Sequence, residues 1–285
     1  MKPAIKPVIK WVGGKTQMLQ ELESAVRPML TGENAYYEPF VGGGALAFGL
    51  AYGRTVINDA NPELIGMYEA IRDDKDQVMA LLDMLRDAHS EENYYEVRGW
   101  DRDPSGRPHV KNGAALMAAR TIYLNKTCFN GLYRVNSKGF FNSPIGKTSS
   151  GAVPQLYDEG NIGALSGFLR ESCLIRCGGY EKAVSDAKAG DVVFLDPPYD
   201  RDEDIRTGGF VGYVKGGWTK EDTRHLREVC DDLRARGVRV VVTNNDTAFV
   251  RGLFEGYEIR EISVKRSINR DAAGRKGKEV IIVGK

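Results

Sequence analysis

Two apolar runs, Val-Val-Phe-Leu at Val192–Leu195 and Val-Arg-Val-Val-Val-Thr-Asn at 238–244, set the tightest limit on what this chain can become. Neither shows the apolar/polar alternation of a strand with one wet face, so both belong in a sheet covered on two sides. Between them Thr219 opens TKEDTRHLREVCDDLRARG, with a hydroxyl at the N-cap, acids in the first turn, bases in the last and Gly237 as the stop. Strand, helix and buried strand in succession make a parallel crossover. AYYEPF (35–40), TVIND (55–59) and CLIRC (173–177) read as further short strands. The spacing therefore predicts an α/β fold with a doubly wound, mostly parallel sheet. EIREISVKRSIN and KEVIIVGK, at the end of the chain, predict an antiparallel hairpin closing that sheet.

Residues 61–160 break the rhythm. Helical periodicity in ELIGMYEAIRDDKDQVMALLDML passes into a turn-rich RDPSGRP, a second helix at GAALMAARTIYL, and a stretch rich in Gly, Asn, Ser and Pro. At 285 residues the chain suits one large domain carrying an insertion. The predicted division is a sheet domain from 1–60 and 161–285, with 61–160 as an inserted, mainly helical lobe.

Charge narrows the partners. The net charge is only +1, yet residues 120–150 hold Arg120, Lys126, Arg134, Lys138 and Lys147 without an acid, and residues 260–285 hold eight Lys or Arg against three acids. Such blocks are the footprint of a polyanion on one face. No run approaches the roughly 18 apolar residues of a membrane span, and the N-terminus lacks the apolar core of a signal peptide, which predicts a cytoplasmic protein with no membrane partner. Cys128, Cys173, Cys177 and Cys230 show no CxxC spacing and His89, His109 and His225 are scattered, so no metal is expected and the thiols are read as free and mostly buried.

The chemistry gathers at strand ends. EPFVGGGALAF places Gly42, Gly43 and Gly44 at a strand-to-helix turn, where a missing side chain lets the backbone approach a ligand. The next strand ends in NDAN, and Asp59 there is placed to accept hydrogen bonds from ribose hydroxyls. Together they point to a nucleoside-containing cofactor, with a nicotinamide dinucleotide still open. GGKT at 13–16 and IGKT at 145–148 are not Walker loops, because Ile9 and Phe141 stand where the first glycine is required. Asp196-Pro197-Pro198-Tyr199 then caps the Val192–Leu195 run with a carboxylate, two residues that bring no N–H, and a stacking ring. An acceptor-rich notch beside a flat aromatic face suits an exocyclic amine on a heteroaromatic base. Accepting both its hydrogens, on Asp196 and the Pro197 carbonyl, would turn the nitrogen lone pair toward an electrophile.

KWVGGK, EPFVGGGA, NDAN, YLNKTCFNGLYRVN and FLDPPY, in that order, resemble the Dam family of DNA adenine N6-methyltransferases over nearly the whole chain. The resemblance implies a Rossmann-like catalytic domain that binds S-adenosylmethionine, an inserted DNA-recognition lobe, and duplex DNA as partner. It places Trp11, Lys15, Phe40, Gly42, Gly44, Asp59 and Asp196 around the cofactor and assigns catalysis to Asp196, Pro197, Pro198 and Tyr199. It puts an aromatic wedge at Phe129, with Asn130 and Leu132 beside it, a base-reading arginine at Arg134, and further DNA contacts at Lys10, Pro144 and Lys147. Phe129 stands where the family has a tyrosine, and Lys147 where it has an arginine. GATC is the implied site, with the adenine flipped out of the duplex. Cytosine N4 methylation and a nicotinamide-dependent oxidoreductase are the alternatives. Cytosine C5 chemistry needs a nucleophilic cysteine, usually after proline, and the four cysteines here follow Thr, Ser, Arg and Val. Nothing in the sequence identifies a cognate restriction endonuclease.

Overall fold

The computed structural model describes residues 5–102, 113–146, 153–199, 217–265 and 276–284. Seven strands form its sheet among these residues: β1 (Tyr36–Glu38), β2 (Thr55–Asp59), β3 (Cys173–Cys177), β4 (Val192–Leu195), β5 (Arg239–Asn245), β6 (Glu258–Lys265) and β7 (Lys276–Gly284). Their spatial order is β3-β2-β1-β4-β5-β7-β6. The first five run parallel, and β7 inserts antiparallel between β5 and β6. Strand order reverses between β1 and β4, and in open α/β sheets the ligand crevice lies at the carboxyl ends of the strands beside such a reversal. β1 is shorter than AYYEPF suggests, because Pro39 has no N–H to continue the ladder.

The absence of alternation in the central strands is explained by two cores. Val192 and Phe194 of β4, Val241 of β5 and Ile281 of β7 face one; Val193, Leu195, Val240, Val242 and Ile282 face the other. The first core is covered by α1 (Leu19–Val26), α2 (Ala45–Leu50), α3 (Pro62–Asp87, kinked at Asp74), α4 (Glu91–Arg98), α5 (Ala114–Thr127) and α6 (Glu159–Glu171). The second is covered by α7 (Tyr180–Ala183), α8 (Lys220–Ala235) and α9 (Ala248–Leu253). The fold is thus the doubly wound, Rossmann-like one expected. Helix α8 starts as its sequence requires: the Thr219 hydroxyl accepts from the Asp222 N–H, and the Asp222 carboxylate accepts from the Thr219 N–H. Leu226, Cys230 and Leu233 then share one buried face of α8.

Residue Asn61 caps α3, its side chain accepting from the N–H groups of Glu63 and Leu64. Leu64, Tyr68 and Ile71 of α3 and Ala119 and Ile122 of α5 share one core with Phe48 and Ile57, so α3 and α5 pack directly onto the sheet's own apolar face. After α5 the chain folds back in a hairpin, bridged at Cys128 with Ile145 and at Val135 with Phe141. Two sequence expectations need correction. Arg120, counted above in a basic surface block, is only 1% exposed, because it lies on the inner face of α5 between two carboxylates. The thiols are free, but only Cys128 and Cys230 are buried; Cys177 is exposed because β3 is an edge strand. Most of RDPSGRP, His109, Lys147 and the basic residues Arg266, Arg270, Arg275 and Lys285 lie outside the described residues.

Candidate active site

The glycine turn is built for close approach. Gly42 and Gly44 have positive φ, 47° and 71°, which side-chain-bearing residues seldom adopt. A Cβ on Gly42 would come within 2.7 Å of Trp11 Cδ1, and one on Gly44 within 2.2 Å of the Phe48 ring. Trp11 therefore lies directly over the turn, its ring 5.1 Å from that of Tyr133. From the end of β2, Asp59 reaches back. Its Oδ2 accepts from the Gly42 N–H at 3.1 Å and its Oδ1 from the Asn61 N–H at 2.9 Å. Burial raises the pKa of Asp59, and these backbone hydrogen bonds oppose the rise. Each carboxylate oxygen keeps a lone pair for a further donor.

At the carboxyl end of β4, both oxygens of Asp196 are held. Oδ1 accepts from the Thr243 hydroxyl at 2.5 Å, and Oδ2 pairs with Lys15 Nζ at 2.7 Å. The same ammonium donates to the Gly13 carbonyl and stands 4.8 Å from the centre of the Tyr199 ring. Tyr199 in turn donates to Glu279 Oε2 at 2.9 Å. Its pKa is well above the ordinary phenol value, chiefly through burial and then through the charges of Asp196 and Glu279, so it remains a neutral donor. Glu38, at the end of β1, is buried and accepts from the Tyr36 hydroxyl at 2.6 Å. Burial pushes its carboxyl up to about 8. The notch therefore accepts N–H donors and favours a cation, over a flat aromatic face.

Phe40 follows β1 and stacks on Tyr180 at 5.0 Å, with Trp218 set edge-on to it at 5.8 Å. The buried Tyr180 hydroxyl has no hydrogen-bond partner among the described residues. Asn58 ties the turn beyond β1 to that beyond β3, donating to the Pro39 and Gly178 carbonyls. Glycine turn, half-buried carboxylate, aromatic wall and orphaned hydroxyl thus lie along the carboxyl ends of β1, β2 and β3, and they fit a nucleoside bearing a charged tail.

The structure brings KWVGGK and the hairpin together. The Asn125 side chain accepts from the Lys10 N–H at 2.8 Å and donates to the carbonyls of Lys10 and Gly131. A Cβ on Gly131 would strike Lys10 Cδ at 2.6 Å. On the turn that follows, Phe129 is 54% exposed and Asn130 adopts a left-handed φ of 57°. Leu132 is half-buried and Pro144 exposed; the Pro144 carbonyl accepts from the Phe129 N–H at 2.9 Å. Arg134 Nε donates to Asn142 Oδ1 at 2.7 Å, so a hairpin partner fixes its guanidinium. Lys147 lies outside the described residues.

Thr243, Glu279 and Glu38 were not singled out from the sequence. Thr243 had a usable signal, since a polar Thr-Asn-Asn ending on an apolar parallel strand faces the ligand crevice just as Asp196 does. Glu279 had none, because a glutamate in a terminal hairpin normally reads as a solvated charge. Among the described residues no cluster of three His, Cys, Asp or Glu could hold a metal ion, and no helix is long and apolar enough to cross a membrane.

Comparison with known proteins gives a consistent result. Residues 11–268 match the family described as D12 class N6 adenine-specific DNA methyltransferase. The type II methyltransferase M1.LlaDCHI of Lactococcus lactis subsp. cremoris is 36% identical over 98% of this chain and 95% of its own length. The type II methyltransferase M.MjaIII of Methanocaldococcus jannaschii is 35% identical over 93% of both chains. The DNA adenine methylase of Escherichia coli K12 is 28% identical over 94% of this chain and 91% of its own length.

Proposed function

Because the chain belongs to the D12 class of N6 adenine-specific DNA methyltransferases, we propose that it extrudes an adenine from duplex DNA, at GATC, and methylates N6 directly from S-adenosylmethionine. The nicotinamide and cytosine N4 readings do not fit that family. One observation carries the proposal: the notch at Asp196 and Tyr199 already holds a nitrogen cation, the Lys15 ammonium. Substrate sulfonium and newly methylated amine are both cations, and Asp196 with the Tyr199 face suits either.

S-adenosylmethionine supplies an electrophilic methyl group when bound. Gly42, Gly44 and Trp11 would admit it closely, Asp59 would accept from its ribose, and Phe40, with Tyr180, would face its base. Asp196 and the Pro197 carbonyl accept the two hydrogens of adenine N6 and aim the lone pair; Pro198 stiffens the loop. Carboxylates are weak bases, so Asp196 takes the proton, and passes it to water, only after the nitrogen becomes cationic. Extrusion of the base costs a few kcal/mol, and stacking on Tyr199 returns roughly 1–3 kcal/mol. An exposed Phe129 on a fixed turn is the shape of a wedge that fills the vacated stack. Residues 61–160 form the recognition lobe, and 1–60 with 161–285 the catalytic domain. Lys10, Asn130, Leu132, Pro144 and Lys147 complete the proposed DNA face, with Lys126 beside Lys10 as an addition.

Sequencing of modified bases in DNA from adenine-methylation-free cells expressing the protein tests this reading. N6-methyladenine confined to GATC is the expected result. Methylation in another context removes GATC alone, and unmodified DNA removes the proposal. Base reading is tested separately by Arg134→Ala, which should relax preference at one base position by about 10- to 100-fold, the scale of one bidentate arginine contact. Exposed Lys138→Ala should instead weaken all sequences alike and flatten the salt dependence. Competition binding against single-base variants over a salt series checks both; equal losses on every sequence from Arg134→Ala would strike it from the specificity residues.

A further inference from the structure

The two side chains that make the notch are each held from a different segment. Asp196 Oδ1 accepts from Thr243 on β5, and Tyr199 donates to Glu279 on β7. Asn245 pairs with Glu279 and Thr243 with Ile281 in the antiparallel ladder. Thr243 and Asn245, two residues apart, share a sheet face, and Glu279, opposite Asn245, points to the same side. Both supports therefore rise from one polar corner of the sheet.

We infer that Glu279 is a positioning residue for methyl transfer: it anchors the Tyr199 phenol so that the ring's face is presented to the target base beside Asp196, with Thr243 fixing the carboxylate from the same corner. This inference rests on the function proposed above. A tyrosine ring turns about two side-chain torsions; a hydrogen bond at its far end holds the first and, because the phenolic O–H prefers the plane of the ring, biases the second. The bond is phenol to carboxylate, stronger than one between neutral partners. A platform held before the base arrives lowers the cost of reaching the reactive geometry. Without Glu279, Tyr199 would keep its place under Lys15 but lose its angular restraint.

The full-length enzyme and a duplex it demonstrably methylates provide the test, by single-turnover transfer of labelled methyl and by the fluorescence of 2-aminopurine at the target position. Glu279→Ala should slow the single-turnover rate about tenfold, while KM for S-adenosylmethionine changes by less than about threefold. Glu279→Gln, which keeps an acceptor oxygen for the phenol, should recover most of the rate. Tyr199→Phe removes the same bond from the other end and should match Glu279→Ala, and the double variant should be no slower than either single one. The altered 2-aminopurine signal should be common to all three impaired variants and absent from Glu279→Gln. An additive double variant, equal impairment by Ala and Gln, or a normal rate in Tyr199→Phe overturns the inference; the last result decides the matter even if Glu279→Ala does not fold. A parent enzyme that methylates no adenine sinks the proposed function instead, before any variant is compared.

Discussion

Replacement of Asp196 by alanine should reduce methyl transfer by at least about a thousandfold while leaving duplex affinity within a few-fold of the parent. The asymmetry follows from where the two energies arise. In the proposed complex, binding draws on phosphate contacts from Lys10 and the basic side chains of the hairpin, whereas the lysine paired with Asp196 is Lys15. In the proposed reaction, chemistry draws on one carboxylate whose oxygens are already oriented, Oδ1 by Thr243 and Oδ2 by Lys15. The alanine variant also strips Lys15 of its counter-ion, and that lysine is only 7% exposed. Breaking a buried pair from one side destabilises the fold, so lost activity alone would be ambiguous. Asp196→Asn resolves it. The amide has nearly the same shape and can keep one acceptor, but it lacks the negative charge that opposes the cationic nitrogen. It should melt nearer to the parent than the alanine variant does, because the amide oxygen can still accept from Lys15, and still be slower by two or more orders of magnitude. Labelled-methyl incorporation, duplex binding by fluorescence anisotropy and thermal melting, run on both variants, separate the possibilities. Transfer within about tenfold of the parent in the asparagine variant would mean that the Pro197 carbonyl and Tyr199 suffice to activate the amine.

What could be read from the sequence, and what could not, divides by the range over which each signal acts. The parallel strands announced themselves through runs of valine and leucine, and α8 through an N-cap hydroxyl followed by acids in its first turn. Asp196 was legible because a carboxylate that ends a buried strand is anomalous within a window of five. The supports of Asp196 and Tyr199 lie 47 and 80 residues further along. No local pattern marks a threonine or glutamate as the partner of a side chain that distant; only sheet order brings them together. The insertion of β7 between β5 and β6 has the same origin. The hairpin signal showed that two strands pair with each other, but which of them also pairs with β5 is a choice made by the assembled sheet. Arg120 failed in the opposite direction. Its neighbours in sequence are basic and acid-free, which suggests a surface, whereas α5 turns it inward to carboxylates contributed by α3 and by Asp101.

Arg120 is accordingly where a single substitution should cost the most stability. It is 1% exposed, and four acceptors converge on its guanidinium: Glu63 Oε1 at 3.0 Å, Asp101 Oδ2 at 2.8 Å, and the carbonyls of Val97 at 3.0 Å and Arg98 at 2.9 Å. Arg120→Ala leaves two carboxylates facing each other across a cavity, one of them, Asp101, itself buried. The expected cost is about 3–5 kcal/mol, a large share of the roughly 5–15 kcal/mol that holds a typical protein folded. For a chain of this size that corresponds to a melting point lower by roughly 6–15 °C. Lysine should rescue little, because one ammonium cannot serve four acceptors arranged around a planar fork. The damage should also be directional. Glu63 accepts from the Tyr133 hydroxyl at 2.6 Å, and Asp101 from the Phe141 N–H at 3.0 Å. The same two carboxylates thus pin both arms of the hairpin that carries Phe129 and Arg134. Below its melting point, Arg120→Ala should therefore lose discrimination between DNA sequences before it loses affinity for S-adenosylmethionine. Thermal denaturation, limited proteolysis within residues 128–146 and cofactor titration check the three parts, and a parent-like melting point would show that the buried cluster contributes no net stability.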